Sequence, residues 1–117
     1  MRNTKENKQA EINSQTALIP WKELLRFFAR GKTIEVMPYL DLVDVGVEIV
    51  SNNQQQITRW MNQQDIRMVT DDTAKKWLDQ DVWAVVCKPW VLVQQQTKGD
   101  SKIAFKFESS LNIINNN

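Results

Sequence analysis

The stretch Val82-Trp83-Ala84-Val85-Val86-Cys87-Lys88-Pro89-Trp90-Val91-Leu92-Val93 decides the fold. A near-continuous apolar run dominated by valine is the pattern of strand buried on both faces. Pro89 has no N–H to give a ladder, so it marks a bulge, an edge or the break between two short strands. The run is broken by Lys88 and Pro89 and falls well short of the ~20 apolar residues needed to span a bilayer. It is sheet, and the remaining chain must cover it.

Upstream of the run the patterns are mostly helical. Trp21, Leu24, Leu25 and Phe28 stand at i, i+3, i+4 and i+7, one apolar stripe of a helix. Pro20 suits its first turn and Gly31 its C-terminal stop. Thr33–Met37 alternates as a short strand and ends at Pro38. Ser51–Gln64 reads as a helix with Ile57, Trp60 and Met61 on one face and Asn52 or Asn53 near its start. Ile66–Val69 is a short strand. Thr70 caps a following helix whose first turn holds Asp71 and Asp72 and whose buried stripe is Ala74, Trp77 and Leu78.

Leu40–Val50 supports two readings. Val43, Val45, Val47 and Ile49 alternate with Asp44, Gly46 and Glu48, as in a half-buried strand. Asp41 followed by Asp44 instead resembles a helix cap with its first-turn acid, and Leu42, Val45 and Ile49 would share a helical face.

The ends differ in composition. Residues 1–15 alternate Asn, Lys, Glu and Gln with hardly any apolar residue, and read as a disordered tail. Beyond residue 96, Thr97-Lys98-Gly99-Asp100 looks like a turn, and Ile103, Phe105 and Phe107 alternate as a hairpin strand over 102–108 before a frayed end. The expected architecture is a small single α+β domain over 16–96. About four helices cover a sheet of three strands, or four with the final hairpin.

Composition restricts the chemistry. The 117 residues fit one domain, and 42% hydrophobic content supplies one core. A net charge of +1 provides no global field for nucleic acid or an anionic membrane. The only cysteine is Cys87 and there is no histidine. Histidine-assisted nucleophiles and a thiolate zinc set are therefore ruled out within one chain. Any catalysis would rest on carboxylates, lysine, tyrosine or a bound cofactor. Gly31, Gly46 and Gly99 are isolated, so no phosphate loop is present. No motif names a cofactor, a metal site or a membrane segment, and the plain reading is a cytoplasmic protein.

Candidate surfaces remain. Of the five tryptophans, Trp21, Trp60 and Trp77 fall on apolar helix stripes and suit the core. Trp83 and Trp90, at the two ends of the apolar run, are better placed for partial exposure and protein contact. Lys22, Arg26 and Arg30 recur every four residues as a basic stripe, a docking site for phosphates or an acidic partner, or else a solvated face. A polar pocket would need Asp41, Asp44, Asp71 or Asp72 to converge on Arg30 or Lys22. Asp71 and Asp72 already have an explanation in the helix dipole. Buried and with no base to activate it, Cys87 reads as inert.

Several motifs occur together and in order: Thr16-Ala17, Ile19-Pro20-Trp21-Lys22-Glu23-Leu24, Phe28-Ala29-Arg30-Gly31, Leu40-Asp41-Leu42-Val43-Asp44-Val45, Thr70-Asp71-Asp72, Trp83-Ala84-Val85-Val86 and Pro89-Trp90-Val91-Leu92-Val93-Gln94. Over residues 16–95 the chain thereby resembles a bacterial family catalogued as domain of unknown function 2288. The resemblance favours helix for residues 40–50 and makes the segment after Gln95 an extension. It implies no activity, cofactor or catalytic residue. The leading expectation is a non-catalytic protein-interaction or regulatory module with a protein partner. The alternative is a small-molecule-binding or carboxylate-based enzyme domain, and nucleic-acid binding through the basic helix face is weaker.

Overall fold

The computed structural model describes residues 4–97. The expected hairpin strand at 102–108 lies outside the described residues. In chain order the elements are α1 (Thr4–Gln15), β1 (Ala17–Pro20), a 3-10 turn (Trp21–Leu24) running into α2 (Leu25–Ala29), β2 (Thr33–Val36), α3 (Leu42–Val50), α4 (Gln54–Asn62), β3 (Ile66–Met68), α5 (Asp71–Lys76), β4 (Asp81–Cys87) and β5 (Trp90–Gln95). The α+β class is as expected, with five α-helices and five strands among the described residues.

The long apolar run folds back on itself. β4 and β5 pair antiparallel with Cys87 opposite Trp90, which leaves Lys88-Pro89 as a two-residue turn with a cis peptide bond. A cis proline at the third turn position is the type VI turn. Sheet order is β1-β4-β5-β2-β3, antiparallel except for the parallel pair β2–β5. Three strands or four becomes five because the run divides in two and because Ala17–Pro20, too short to show an alternation, pairs along β4.

Each face of the sheet carries its own core. On one, Ile34 and Val36, Ile66, Val85 and Cys87, and Leu92 meet Leu42, Val45 and Val47 of α3 and Ile12 of α1. On the other, Val82, Ala84, Val91 and Val93 meet Trp21, Leu24, Ala74 and Trp77. α1, α3 and α4 thus share one face, and the 3-10 turn, α2 and α5 the other. β2, an alternating strand in sequence, is buried on both faces, because Thr33 and Glu35 point into the second layer. Glu35 takes its counter-charge from Arg67 across the β2–β3 pair, Nε to Oε1 3.1 Å.

Residues 1–15 are the main correction to the sequence reading. Thr4–Gln15 is helix, anchored by Ile12, which is buried at 5% exposure. One apolar residue suffices because Gly46 of α3 lets α1 approach closely. A Cβ there would lie 3.0 Å from Ile12 Cγ2. Lys8 Nζ donates to Ser51 Oγ at 3.1 Å and Gln9 Nε2 to Asp44 Oδ1 at 3.2 Å, which fixes the helix from its polar side.

Local signals held where a cap defines them. Asp41 accepts hydrogen bonds from the Val43 and Asp44 N–H groups, so residues 42–50 are helix. Thr70 and Asn53 cap α5 and α4 in the same way. The first stripe differs from expectation. Trp21–Leu24 is 3-10, with three residues per turn, so Trp21, Leu24 and Phe28 pack inward together with Phe27, while Leu25 is exposed. Leu78 is likewise exposed, because α5 ends at Lys76.

Candidate functional site

An apolar groove opens on the α3 face, bounded by the C-terminal end of α3, by α4, by β2 and β3, and by the β4–β5 turn. Its volume is about 680 Å³, within the ~300–1,000 Å³ of ligand sites. Ile34 and Ile66 form its floor, Ile49 and Ile57 one wall, and Trp90 with Lys88 and Pro89 the far end. Val50, Met61 and Met68 stand on the rim with 43%, 38% and 38% of their surface exposed. The apolar floor thus continues onto an exposed apolar rim.

The elements explain the shape. α3 and α4 both end in Schellman motifs. Asn53 N–H reaches Glu48 C=O and Asn52 N–H reaches Ile49 C=O; Asp65 and Gln64 repeat the pattern on Trp60 and Met61. Asn52 and Gln64 take the left-handed conformation this requires, at φ 56° and 63°. Asn53 closes α3 and also caps α4, so the chain reverses tightly between the two helices. Trp90 is fixed from two sides: it pairs with Cys87 on β4, and Lys32 Nζ lies 5.5 Å from its ring centroid.

Of the sequence candidates, only Trp90 lies in the groove. Trp83 is half-buried on the same sheet face, but opposite Gln94 rather than Cys87, at the other end of β4. Lys22, Arg26 and Arg30 lie on the opposite face of the sheet. There Lys22 Nζ sits 3.8 Å from Asp79 Oδ1, both well exposed, and the Arg26 guanidinium rests 4.9 Å from the Phe27 ring centroid. The polar pocket is not assembled. Asp41 and Asp44 begin α3 on one face, while Asp71 and Asp72 begin α5 on the other. Asp44 instead borders a polar cleft with Lys5, Gln9, Glu48 and Gln56. Among the described residues no group of His, Cys, Asp or Glu is placed to hold a metal ion, and no helix is long and apolar enough to cross a membrane.

The groove residues Ile57, Met61 and Met68 were legible only as ordinary members of a helix stripe or a strand. Cys87 lies behind the groove, 1% exposed, and burial pushes its thiol up to about 11. It is a packed thiol, not a nucleophile. Beside the Asp65 end of β3, exposed Tyr39 donates its hydroxyl proton to Asp65 Oδ1, and that bond holds the phenol above its ordinary titration range.

Comparison with known proteins agrees with this fold. The NMR solution structure of PA1075 from Pseudomonas aeruginosa aligns at 34% identity with a TM-score of 0.70, over 85% of this chain and 91% of that one. No curated protein matches significantly. A family model described as "Protein of unknown function (DUF2288)" matches residues 7–95 and so takes in most of α1 as well as the sheet. The chain belongs to the DUF2288 family.

Proposed function

We propose that this protein is a non-catalytic interaction module whose α4–β5 groove receives an apolar segment of a protein partner. The observation carrying this reading is the groove itself: an apolar floor continued onto an exposed rim of Val50, Met61 and Met68. Unbranched methionine side chains adapt to varied apolar surfaces, and Trp90 provides the large rigid contact typical of binding hot spots. The absence of histidine and the separation of the acidic residues onto two faces favour binding over acid–base chemistry. The basic stripe lies away from the groove and is partly engaged with Asp79, which favours a protein partner over nucleic acid.

A photo-crosslinking residue at position 61, introduced in the full chain in its host cells, tests this. The expected product is a protein adduct that maps to an apolar partner segment. It should be absent when the probe sits at position 78 on the opposite face, and reduced several-fold by Met68→Lys. Equal labelling from both positions would overturn the groove as the docking site. A small-mass adduct at position 61 would replace the protein partner with a small apolar ligand.

A further inference from the structure

The groove's lining is apolar apart from Asn52, Gln54, Thr58 and Lys88, so it carries a single ammonium and no carboxylate. Lys88 stands at the turn before Trp90. The C-terminal end of α3 comes close there, because Val50 and Lys88 also border a smaller cleft behind that turn. Lys32 reinforces the same end. Its carbonyl accepts from the Val91 N–H, which carries the β2–β5 ladder past Thr33 and sets Lys32 beside Trp90. By strand alternation Lys32 shares a face with Ile34 of the floor. Its half-buried side chain holds the ammonium 5.5 Å from the Trp90 ring centroid. Lys88 and Lys32 therefore flank the groove's tryptophan with positive charge.

Neither cation is answered from within the fold. Among the described residues the ion pairs are Lys22–Asp79 and Arg67–Glu35, and neither lies at the groove. In the cleft behind the turn Glu11 is matched by Lys8, so that cleft adds no net negative charge. A purely apolar occupant would strip water from Lys88 and return nothing for it. A carboxylate at that end replaces the water with a charge-assisted hydrogen bond.

We propose that the groove's occupant is an acidic amphipathic segment of the protein partner. Its apolar side chains lie on the Ile34 and Ile66 floor, and its carboxylates lie at the Trp90 end, where Lys88 and Lys32 receive them. This rests on the groove as the docking site and adds the partner's charge and its direction in the groove. A segment that is basic at the Trp90 end is repelled, as like charges exclude wrong partners. The stripe of Lys22, Arg26 and Arg30, on the opposite face of the sheet, takes no part.

The test uses the full chain and synthetic peptides that share one leucine- and phenylalanine-rich core and end in a glutamate pair, a glutamine pair or a lysine pair. Binding is read from the Met61 and Met68 methyl NMR signals, with Leu78 on the opposite face as the control. The glutamate peptide should bind several-fold more tightly than the glutamine peptide, and the lysine peptide most weakly. Lys32→Gln/Lys88→Gln should abolish these differences, Lys32→Arg/Lys88→Arg should keep them, and Lys32→Glu/Lys88→Glu should invert them. Equal affinities in the unaltered chain would overturn the acidic segment and leave the groove reading intact. So would a glutamate preference that survives Lys32→Gln/Lys88→Gln. Unmoved Met61 and Met68 signals with every peptide would overturn the groove reading, and this inference with it. Decanoate moving the same signals at lower concentration than the glutamate peptide would overturn the protein segment in favour of a fatty-acid-like amphiphile. In host cells the adduct at position 61 should map beside acidic residues and fall several-fold in Lys32→Glu/Lys88→Glu. An adduct of unchanged yield in that variant would also overturn the acidic segment.

Discussion

Gly46 sets how closely α1 can sit on α3. A glycine inside a helix costs roughly 1 kcal/mol relative to alanine, so its presence within a helix of valines needs a compensating contact. That contact is Ile12, whose Cγ2 would lie 3.0 Å from an added Cβ, with Cys87 Sγ at 3.4 Å. Gly46→Ala gains helix propensity but pushes against Ile12, and we expect a net loss of about 1–2 kcal/mol in denaturant unfolding, in the range for overpacking. Ile12→Ala in the same chain removes the clash, so the double variant should lose less than the sum of the two single changes. Additive losses would show that Gly46 and Ile12 are not coupled. Trp21 and Trp77 show the same primacy of packing. They are wholly buried, edge to face at 5.2 Å, and neither indole N–H has a hydrogen-bond partner. The rings are retained for the volume they fill and for their edge-to-face attraction.

At the scale of elements, termination decides the geometry. Three helices, α2, α3 and α4, end with a left-handed residue: Gly31 at φ 69°, Asn52 at 56° and Gln64 at 63°. Glycine and asparagine tolerate that region, whereas glutamine pays a steric penalty for its Cβ. Gln64→Gly should therefore stabilise the fold by about 0.5–1 kcal/mol, read as a raised denaturant midpoint with an unchanged slope. A lowered midpoint would mean that the Gln64 side chain, whose Nε2 lies 3.4 Å from the Met61 carbonyl oxygen, matters more than its backbone. The sheet edges are protected by local chemistry. Trp21 N–H donates to Gln80 C=O, so by the antiparallel alternation Leu18 and Pro20 turn their backbone outward from β1. Pro20 has no N–H to offer there. β3 is only three residues long, and Ile66 is wholly covered. Strand addition is thus disfavoured at both edges.

For the whole molecule, α1 closes the α3 layer over Cys87. The folded thiol, raised from 9.0 to about 11 by burial, prefers its neutral form. Its contribution to stability is complete below pH 9.0 and is lost as pH rises through about 11, because the unfolded chain gives up the proton first. At pH 8 a thiol reagent should modify the native protein only on the timescale of opening. Ile12→Asp, which detaches α1, should speed this labelling at least tenfold while the circular dichroism of the sheet persists. Slow labelling in that variant would show that the strands, not α1, protect the thiol.

The elements themselves were legible wherever a side chain reports on its own neighbours in sequence. Asp41, Asn53 and Thr70 cap the helices they precede because their oxygens reach N–H groups two or three residues on. Gly31 ends α2 because its backbone can turn left-handed. The absence of histidine also bounds the chemistry without any structure. What stayed hidden depends on partners far along the chain. Thr4–Gln15 has one apolar anchor and becomes helix only against Gly46. Ala17–Pro20 is a strand because β4 provides its hydrogen bonds. Glu35 is buried because Arg67 reaches it from the next strand. The groove has no sequence signature for the same reason: Ile57, Met61, Met68 and Trp90 come from three elements, and only packing on one sheet makes them a surface. Local hydrogen bonds and backbone preference act over a few residues and can be read in order, whereas burial is a property of the folded whole.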